Sequence, residues 1–547
     1  LDLKEKLIIA LLLFVSLFAL FFWAGKIYFS LTEAVPEHGG SYVEGVIGQP
    51  MYVNPVLSKT NETDESLVKL IYNGILKYDK NGGLINDLAD SYSVSEDGKE
   101  YIFDLKKEVR WHDGEKLTSD DIIFTVTLIK DPLFKSPLRN NWQGVRPEKV
   151  DDYSIRFILD KPYFGFLENL TFGILPEHIW SNIDSEKFPL TKYNLEPIGT
   201  GPYRFSNFHK DSEGNILDYQ MESFEQYFLG EPYISSLSLN FYANEQLLID
   251  SYNKKEISGV GNLSPKNSAI ENFRKSTSIY ELEIPWPFTV FLNKNKSVSL
   301  ADRGVREALN WATDKDEIIE KNLFGKAKPI DSPFFVGTDE YAQDIEKPGF
   351  DTGRSNKILE DGGWALKDGE IREKDGEKLQ FSLYVVDSSS YIELAEILKE
   401  QWKKIGAEVS IQAFSFSDMQ QNHIKPREYD ALLVGQDASF NVDPYSFWHS
   451  SNKKDPGLNL ALFDNEEADK LISEAREEND RNKRIEKYHS FQEIVAEENP
   501  AVFLFSPYYL YLVDSKVKGI EEKKINSTKS RFENVDKWYI KTKRVFK

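Results

Sequence analysis

The chain has 547 residues, too many for one hydrophobic core, so two or three domains are expected. With 40% hydrophobic and 29% charged residues it is a folded globular protein, and a net charge of −22 argues against nucleic acid as a partner, since phosphate binding needs basic patches. It holds no cysteine, which rules out a disulfide, a thiolate metal site, a cysteine nucleophile and a lipid-modified cysteine.

From Leu7 to Gly25 the sequence LIIALLLFVSLFALFFWAG carries no charge. As a helix it would reach roughly 28 Å, close to the thickness of a bilayer's hydrocarbon core. No polar face interrupts it, so a transmembrane anchor is expected. A cleavable signal peptide, with Thr32 and Ala34 as a small-residue cleavage pair, is the alternative. Lys4 and Lys6 precede the run and orient the short tail to the cytoplasm, with the large domain outside. Residues 31–40 (LTEAVPEHGG) read as a spacer.

A strand is expected near Ser41–Ile47, then a turn at Val53-Asn54-Pro55 and a helix from Thr63 to Leu76 with Gly74 interrupting its end. Tyr101, Phe103 and Leu105 alternate as in a half-buried strand, with turns at Asp97-Gly98 and Asp113-Gly114. Thr118-Ser119-Asp120-Asp121 is an acidic capping box opening a helix to Lys130. Val150–Leu159 reads as one strand and Pro176–Trp180 as a short helix. Gly199-Thr200-Gly201-Pro202-Tyr203 suggests a tight chain crossing, and strands follow near Asp218–Glu222 and Ile234–Tyr242. Pro285-Trp286-Pro287 forces an extended, stiff connection.

In the second half, Leu379–Val386, a helical stripe from Tyr391 to Trp402 ended by Gly406, and Glu408–Ala413 form a β-α-β crossover with parallel strands. Ala431–Val434 is a continuous apolar run, the mark of a strand buried on both faces. Ligands of open parallel sheets bind beyond the carboxyl ends of the strands. The turn-rich segment after Gly435 is therefore a candidate binding surface, with Gln436, Asp437, Asn441, Asp443, Tyr445, Trp448 and Asn459 as its polar and aromatic groups. Asn54 and Trp286 join this candidate set. Helices near Glu466–Glu478 and Arg481–Glu497 precede two strands, Ala501–Phe505 and Tyr509–Val513.

No HExxH pair, GxSxG elbow or phosphate loop is present, and Gly259-Val260-Gly261 lacks the third glycine of a dinucleotide fingerprint. No catalytic residue, metal site or cofactor is expected. A glycosidase-like carboxylate pair is the one chemistry that 89 carboxylates leave open.

The ordered series Leu88-Ala89-Asp90-Ser91-Tyr92, Tyr101-Ile102-Phe103-Asp104-Leu105, Val109-Arg110-Trp111-His112-Asp113-Gly114 and Leu117-Thr118-Ser119-Asp120-Asp121-Ile122 resembles the signature of solute-binding family 5, the peptide/nickel-type binding proteins of ABC importers. Asn54-Pro55, Gly199–Tyr203, Leu292-Asn293, Val305–Leu309 and Asp443-Pro444-Tyr445 extend the resemblance over most of residues 40–515. It implies an α/β, periplasmic-binding-protein-like clam-shell (type II, cluster C) of two lobes with an inserted α+β subdomain, here preceded by one transmembrane helix. Residues 40–60, 195–284 and 500–547 would form the first lobe, 61–194 the insertion and 285–499 the second lobe. The resemblance further implies an oligopeptide ligand, held by backbone hydrogen bonds, and delivery to a permease with a separate ATPase subunit. An oligosaccharide stacked on Trp286, Tyr445 and Trp448 is the alternative ligand, and an extracellular carboxylate-dependent hydrolase the alternative class. In peptide binders of this family an acidic residue in a Gly-Trp-x-x-Asp stretch holds the α-amine. Gln436 replaces that tryptophan here, which leaves Asp437 and Asp443 as rival candidates, Asp437 first.

Overall fold

A computed structural model describes residues 2–270, 272–367, 370–440 and 443–547. Helix α1 (Leu3–Leu31) opens the chain, and its stretch Leu7–Leu31 is apolar and unburied, long enough to cross a bilayer. Strand β1 (Thr32–Glu37) follows with no intervening residue, where a spacer was expected.

The first lobe begins with β2 (Ser41–Ile47) and α2 (Glu62–Ile71), the latter capped by Asn61, whose side chain accepts from the Thr63 amide. α2 ends earlier than its hydrophobic spacing predicts because another stretch of chain crosses there. The Gly201 amide donates to the Ile71 carbonyl at 2.8 Å, and a Cβ on Gly199 would sit 1.9 Å from the same oxygen. The glycines of the Gly-Thr-Gly motif are thus required by close backbone approach.

The inserted subdomain is an antiparallel sheet of β3 (Ala89–Val94), β4 (Glu100–Leu105), β5 (Val145–Asp151) and β6 (Ser154–Leu159), in the order β3-β4-β6-β5. The single strand expected at Val150–Leu159 is a hairpin turning at Asp151–Ser154. Helix α3 (Ser119–Lys130) starts at the capping box, with the Thr118 amide donating to Asp121 Oδ2 at 2.9 Å. Insertion and first lobe share one core.

The main sheet takes in β7 (Tyr203–Lys210), β8 (Ile216–Ser223), β9 (Ser236–Tyr242), β10 (Gly259–Val260) and β11 (Thr277–Glu283) from the first lobe. Its second-lobe members are β12 (Phe288–Leu292), β13 (Gln380–Val386), β14 (Glu408–Phe414) and β15 (Ala431–Gly435). β13 and β14 are parallel and joined by helix α4 (Ser389–Lys403), as the crossover requires. β15 lies parallel to β13. Ala431 and Leu433 face the core formed with α4 and Leu432 the core on the other side, which is why the run reads as continuously apolar. Helices α5 (Glu466–Glu477) and α6 (Arg481–Glu498) cover that second face.

One strand, β16 (Ala501–Asp514), joins the lobes: the order β14-β13-β15-β12-β16-β10-β2-β9-β8-β7 runs through it. Its first part pairs with β12 and its second with β11. The break expected at Ser506-Pro507-Tyr508 does not occur. Pro507 falls where the partner changes from β12 to β11, a place where a missing N–H costs little. Last, β17 (Lys541–Phe546) pairs antiparallel with β1, Thr32 against Phe546 through Glu37 against Lys541.

Candidate functional site

The cleft lies where β15 ends and the two lobes meet. Gly435 closes β15 against the Phe288 ring, which a Cβ would approach to 2.9 Å, so a larger residue there would have to displace that ring. Beyond it the loop is strapped to the inter-lobe connection. The Gln436 amide donates to the Pro287 carbonyl (3.0 Å) and the Ala438 amide to the Pro285 carbonyl (3.1 Å). The prolines' fixed backbone aims those carbonyls, and Asp437, held on both sides, projects between the lobes.

Two connected spaces of about 400 and 450 Å³ flank Asp437 and Gln436. This is the size range of small-ligand sites. The second lobe supplies Trp286, Phe288, Tyr391 and Gly435 to the smaller space; from the opposite wall Lys59 and Glu65 reach both spaces and Lys529 the larger. Crowding by the cleft walls pushes the Asp437 carboxyl above its ordinary value. Lys59 opposes that rise, Glu65 adds to it, and the Trp286 side chain and Lys529 oppose it. The carboxylate nevertheless still meets cleft solvent. Lys529 is already paired with Glu65 at 2.9 Å. Among the described residues, neither Asp437 nor Lys59 has an ion-pair partner within 4 Å. The cleft thus offers a carboxylate and an ammonium group, each free to meet a ligand charge.

Asp443 differs. It pairs with Arg476 Nε at 2.9 Å and caps its own turn by accepting from the Tyr445 amide at 3.1 Å. Burial pushes its carboxyl up, and Arg476 pulls it back. The Arg476 guanidinium lies 4.6 Å from the Tyr163 and the Tyr445 ring centroids, so Tyr445 is part of a rim contact between lobe and insertion. More rim contacts hold the lobes together. Ser439 donates to Glu168 at 2.9 Å, Arg484 stacks on Phe164 at 3.9 Å, and the Asn479 amide donates to the Glu96 carbonyl at 3.2 Å.

Of the other residues singled out from sequence, Trp286, Gly435 and Gln436 border the cleft beside Asp437. Trp448 touches its far end but is 4% exposed, locked among Phe291, Phe463 and Phe503. Asn54 is fully buried: its amide donates to Asn194, and its oxygen accepts from the Val56 amide. Asn459 is also fully buried and donates to the carbonyls of Trp448, His449 and Phe463. These two asparagines staple loops, since a buried amide must satisfy all its hydrogen-bonding groups. Asn441 lies outside the described residues. Sequence reasoning missed Lys59 and Lys529, from the first lobe, and Glu65, from the start of the segment read as its insertion. Lys59 follows the Asn54-Pro55 motif by four residues, the one local signal that pointed near it. Among the described residues, no group of three or more histidines and carboxylates could hold a metal ion.

Residues 83–459 match the family model described as bacterial extracellular solute-binding proteins, family 5. The oligopeptide-binding protein AppA of Bacillus subtilis is 27% identical over 92% of this chain and 92% of its own length. The nickel-binding periplasmic protein of Escherichia coli is 26% identical over 85% and 88%. The structure of Bacillus subtilis AppA in complex with a nonapeptide superposes with a TM-score of 0.71 at 26% identity, over 93% of this chain and all of that one. The mixed α/β two-lobed fold, the shared strand and the match over most of the length lead to one statement: the chain belongs to family 5 of the extracytoplasmic solute-binding proteins that serve ABC importers.

Proposed function

We propose that this protein captures peptides in the inter-lobe cleft, with Asp437 receiving the peptide's α-ammonium, and passes them to a permease while tethered by an uncleaved α1. The observation that carries the ligand reading is Asp437 itself. It is a carboxylate aimed into the cleft by two backbone hydrogen bonds, raised in pKa by its surroundings and left without a protein cation. An entering ammonium would lose water, which is costly unless a carboxylate meets it. Lys59 across the cleft complements a carboxylate or carbonyl farther along the ligand. Strand edges and loop amides beside the cleft suit an extended backbone. Of the three aromatics that a sugar would stack on, Tyr445 and Trp448 are committed to protein contacts, which favours a peptide. The protein contributes binding and no bond-making chemistry. The closed form offers both lobes to the ligand, so ligand shifts the population toward closure.

The tether rests on β1. The Thr32 hydroxyl accepts from Arg544 Nε at 2.8 Å, and Thr32–Glu37 is paired throughout with β17. Cleavage after Ala34 would cut through the middle of that strand. Mass spectrometry of the protein extracted from membranes should find peptides joining Tyr28 to downstream sequence; a mature N-terminus near Val35 would overturn the tether. For the ligand, the protein purified from its host and denatured should release peptides, identified by mass spectrometry. Recovery of a metal chelate or a glycan in their place would overturn the peptide reading.

A further inference from the structure

In a chain of net charge −22, the point where the folded domain meets α1 is basic. β17 and the residue after it carry Lys541, Lys543, Arg544 and Lys547, and Lys26 lies on the helix; Glu33 and Glu37 on β1 are the opposing charges. The juxtaposition is fixed by hydrogen bonds. Arg544 Nη2 donates to the carbonyls of Phe29 (3.1 Å) and Thr32 (2.7 Å), and the Lys547 amide donates to the Leu31 carbonyl (2.9 Å). The Arg544 guanidinium also lies 4.4 Å from the Phe29 ring centroid. The end of the β1–β17 hairpin is therefore locked onto the last turn of the helix, with no linker between them.

The uncharged core of α1 ends at Gly25. From Lys26 to Leu31 a helix advances about 8 Å. That is within the Debye length at physiological salt, also about 8 Å, so charges at the hairpin end are held where a membrane's surface potential acts on them. Phe546, opposite Thr32 in the register, stands 76% exposed at the same end. An exposed aromatic ring among fixed cations suits the headgroup layer, where rings bury and ammonium groups meet phosphate.

We propose that the helix-proximal end of the β1–β17 hairpin is a foot that binds anionic phospholipid headgroups of the bilayer that α1 spans. Lys543 and Lys547 are its headgroup ligands, and Phe546 is its interfacial wedge. Arg544 is a positioning residue that locks the foot to the helix. The foot sets the orientation of an acidic receptor that the same surface would otherwise repel. The inference rests on the retained anchor proposed above.

The test uses the full chain in lipid nanodiscs, either neutral phosphatidylcholine or a mixture containing phosphatidylglycerol. Because the protein has no cysteine, Thr542→Cys gives a single labelling site on the exposed strand. A fluorophore there should be quenched by headgroup-labelled lipid roughly twofold or more strongly in anionic discs than in neutral ones. The difference should vanish at ~1 M salt, where the Debye length falls to about 3 Å. It should also vanish in K543E/K547E, which leaves Arg544 and its bonds to the helix intact. Equal quenching in both lipids, with intact mass confirming residues 1–31, would overturn the foot and leave the anchor standing. A disc-free chain lacking those residues would overturn the anchor and the foot with it.

Discussion

The loop beyond β15 has two ends that behave oppositely. At its near end, Gln436, Asp437 and Ala438 are strapped by backbone bonds to Pro285 and Pro287, while the Asp437 carboxylate has no protein cation. At its far end, Asp443 is paired with Arg476, Trp448 is packed into the core and Asn459 is saturated with carbonyls. The two aspartates stand six positions apart on one loop. Asp443 is answered by Arg476, whereas Asp437 faces cleft solvent with, among the described residues, only the Trp286 side chain as a hydrogen-bond partner. Under the proposed function, the rigid backbone and unpaired charge of Asp437 are what a binding group needs, and the paired charge of Asp443 is what a scaffold needs.

The sharpest way to break this contrast is Asp437→Asn. Leaving a buried ligand ammonium unpaired should weaken a free-amine peptide at least about a hundredfold, equivalent to roughly 3 kcal/mol, while an N-acetylated peptide is barely affected. Calorimetry with both peptides decides it, and equal losses would show that Asp437 only shapes the loop. Arg476→Met should do the converse. It strands the Asp443 carboxylate and should cost about 2–3 kcal/mol of stability in chemical denaturation, the low end for a broken buried pair because Arg476 keeps a third of its side chain in water. Peptide affinity, measured where the variant is folded, should change only a few-fold.

The third prediction is a pH slope. The Asp437 carboxyl has a raised pKa in the free protein, and a bound ammonium would pull it down. Binding is then full above that raised pKa and falls by up to about tenfold per pH unit below it, and Asp437→Asn should abolish the slope. The fourth isolates stability from binding. Glu522, buried in the first lobe away from the cleft, is pushed up to about 7 by burial. Its folded pKa lies above the unfolded one, so the protonated form favours the fold. The stability it adds is present in acid and lost as pH rises through about 7. Between about pH 6 and 8 this amounts to about 1.4 kcal/mol, which Glu522→Gln should remove from the stability profile without altering the binding slope.

Much of the architecture was legible because its signals are local. The capping box at Thr118, the α4 stripe ended by Gly406, the apolar run of β15 and the glycines crossing Ile71 each carry their reason within a few residues. Long-range pairings were not. The Thr32–Glu37 segment lacks strand periodicity, and its partner β17 lies some 500 residues away, so it read as a spacer. Ala501–Phe505 and Tyr509–Val513 read as two strands because the change of partner strand that lets one strand run through Pro507 is a property of the whole sheet. In the site, the loop after β15 was found from strand-end logic, but Asn54 and Asn459 could not be told from ligand-binding amides without knowing their depth. Lys59 and Lys529 reach the cleft only through the packing of the first lobe, which no motif spacing encodes.

β16 also bears on when the molecule can fold. It is the seam of the whole sheet, yet it begins at residue 501, while its neighbours β10, β11 and β12 have left the ribosome hundreds of residues earlier. Until it emerges, β12 presents a hydrogen-bonding edge to nothing, and neither half of the sheet can close. Nearly the entire polypeptide must therefore exist before the two halves of the sheet are joined, although the sheet of the insertion and the β13-α4-β14 crossover need no part of β16. A sheet whose seam is synthesised this late cannot join its two lobes until more than nine-tenths of the chain has been made.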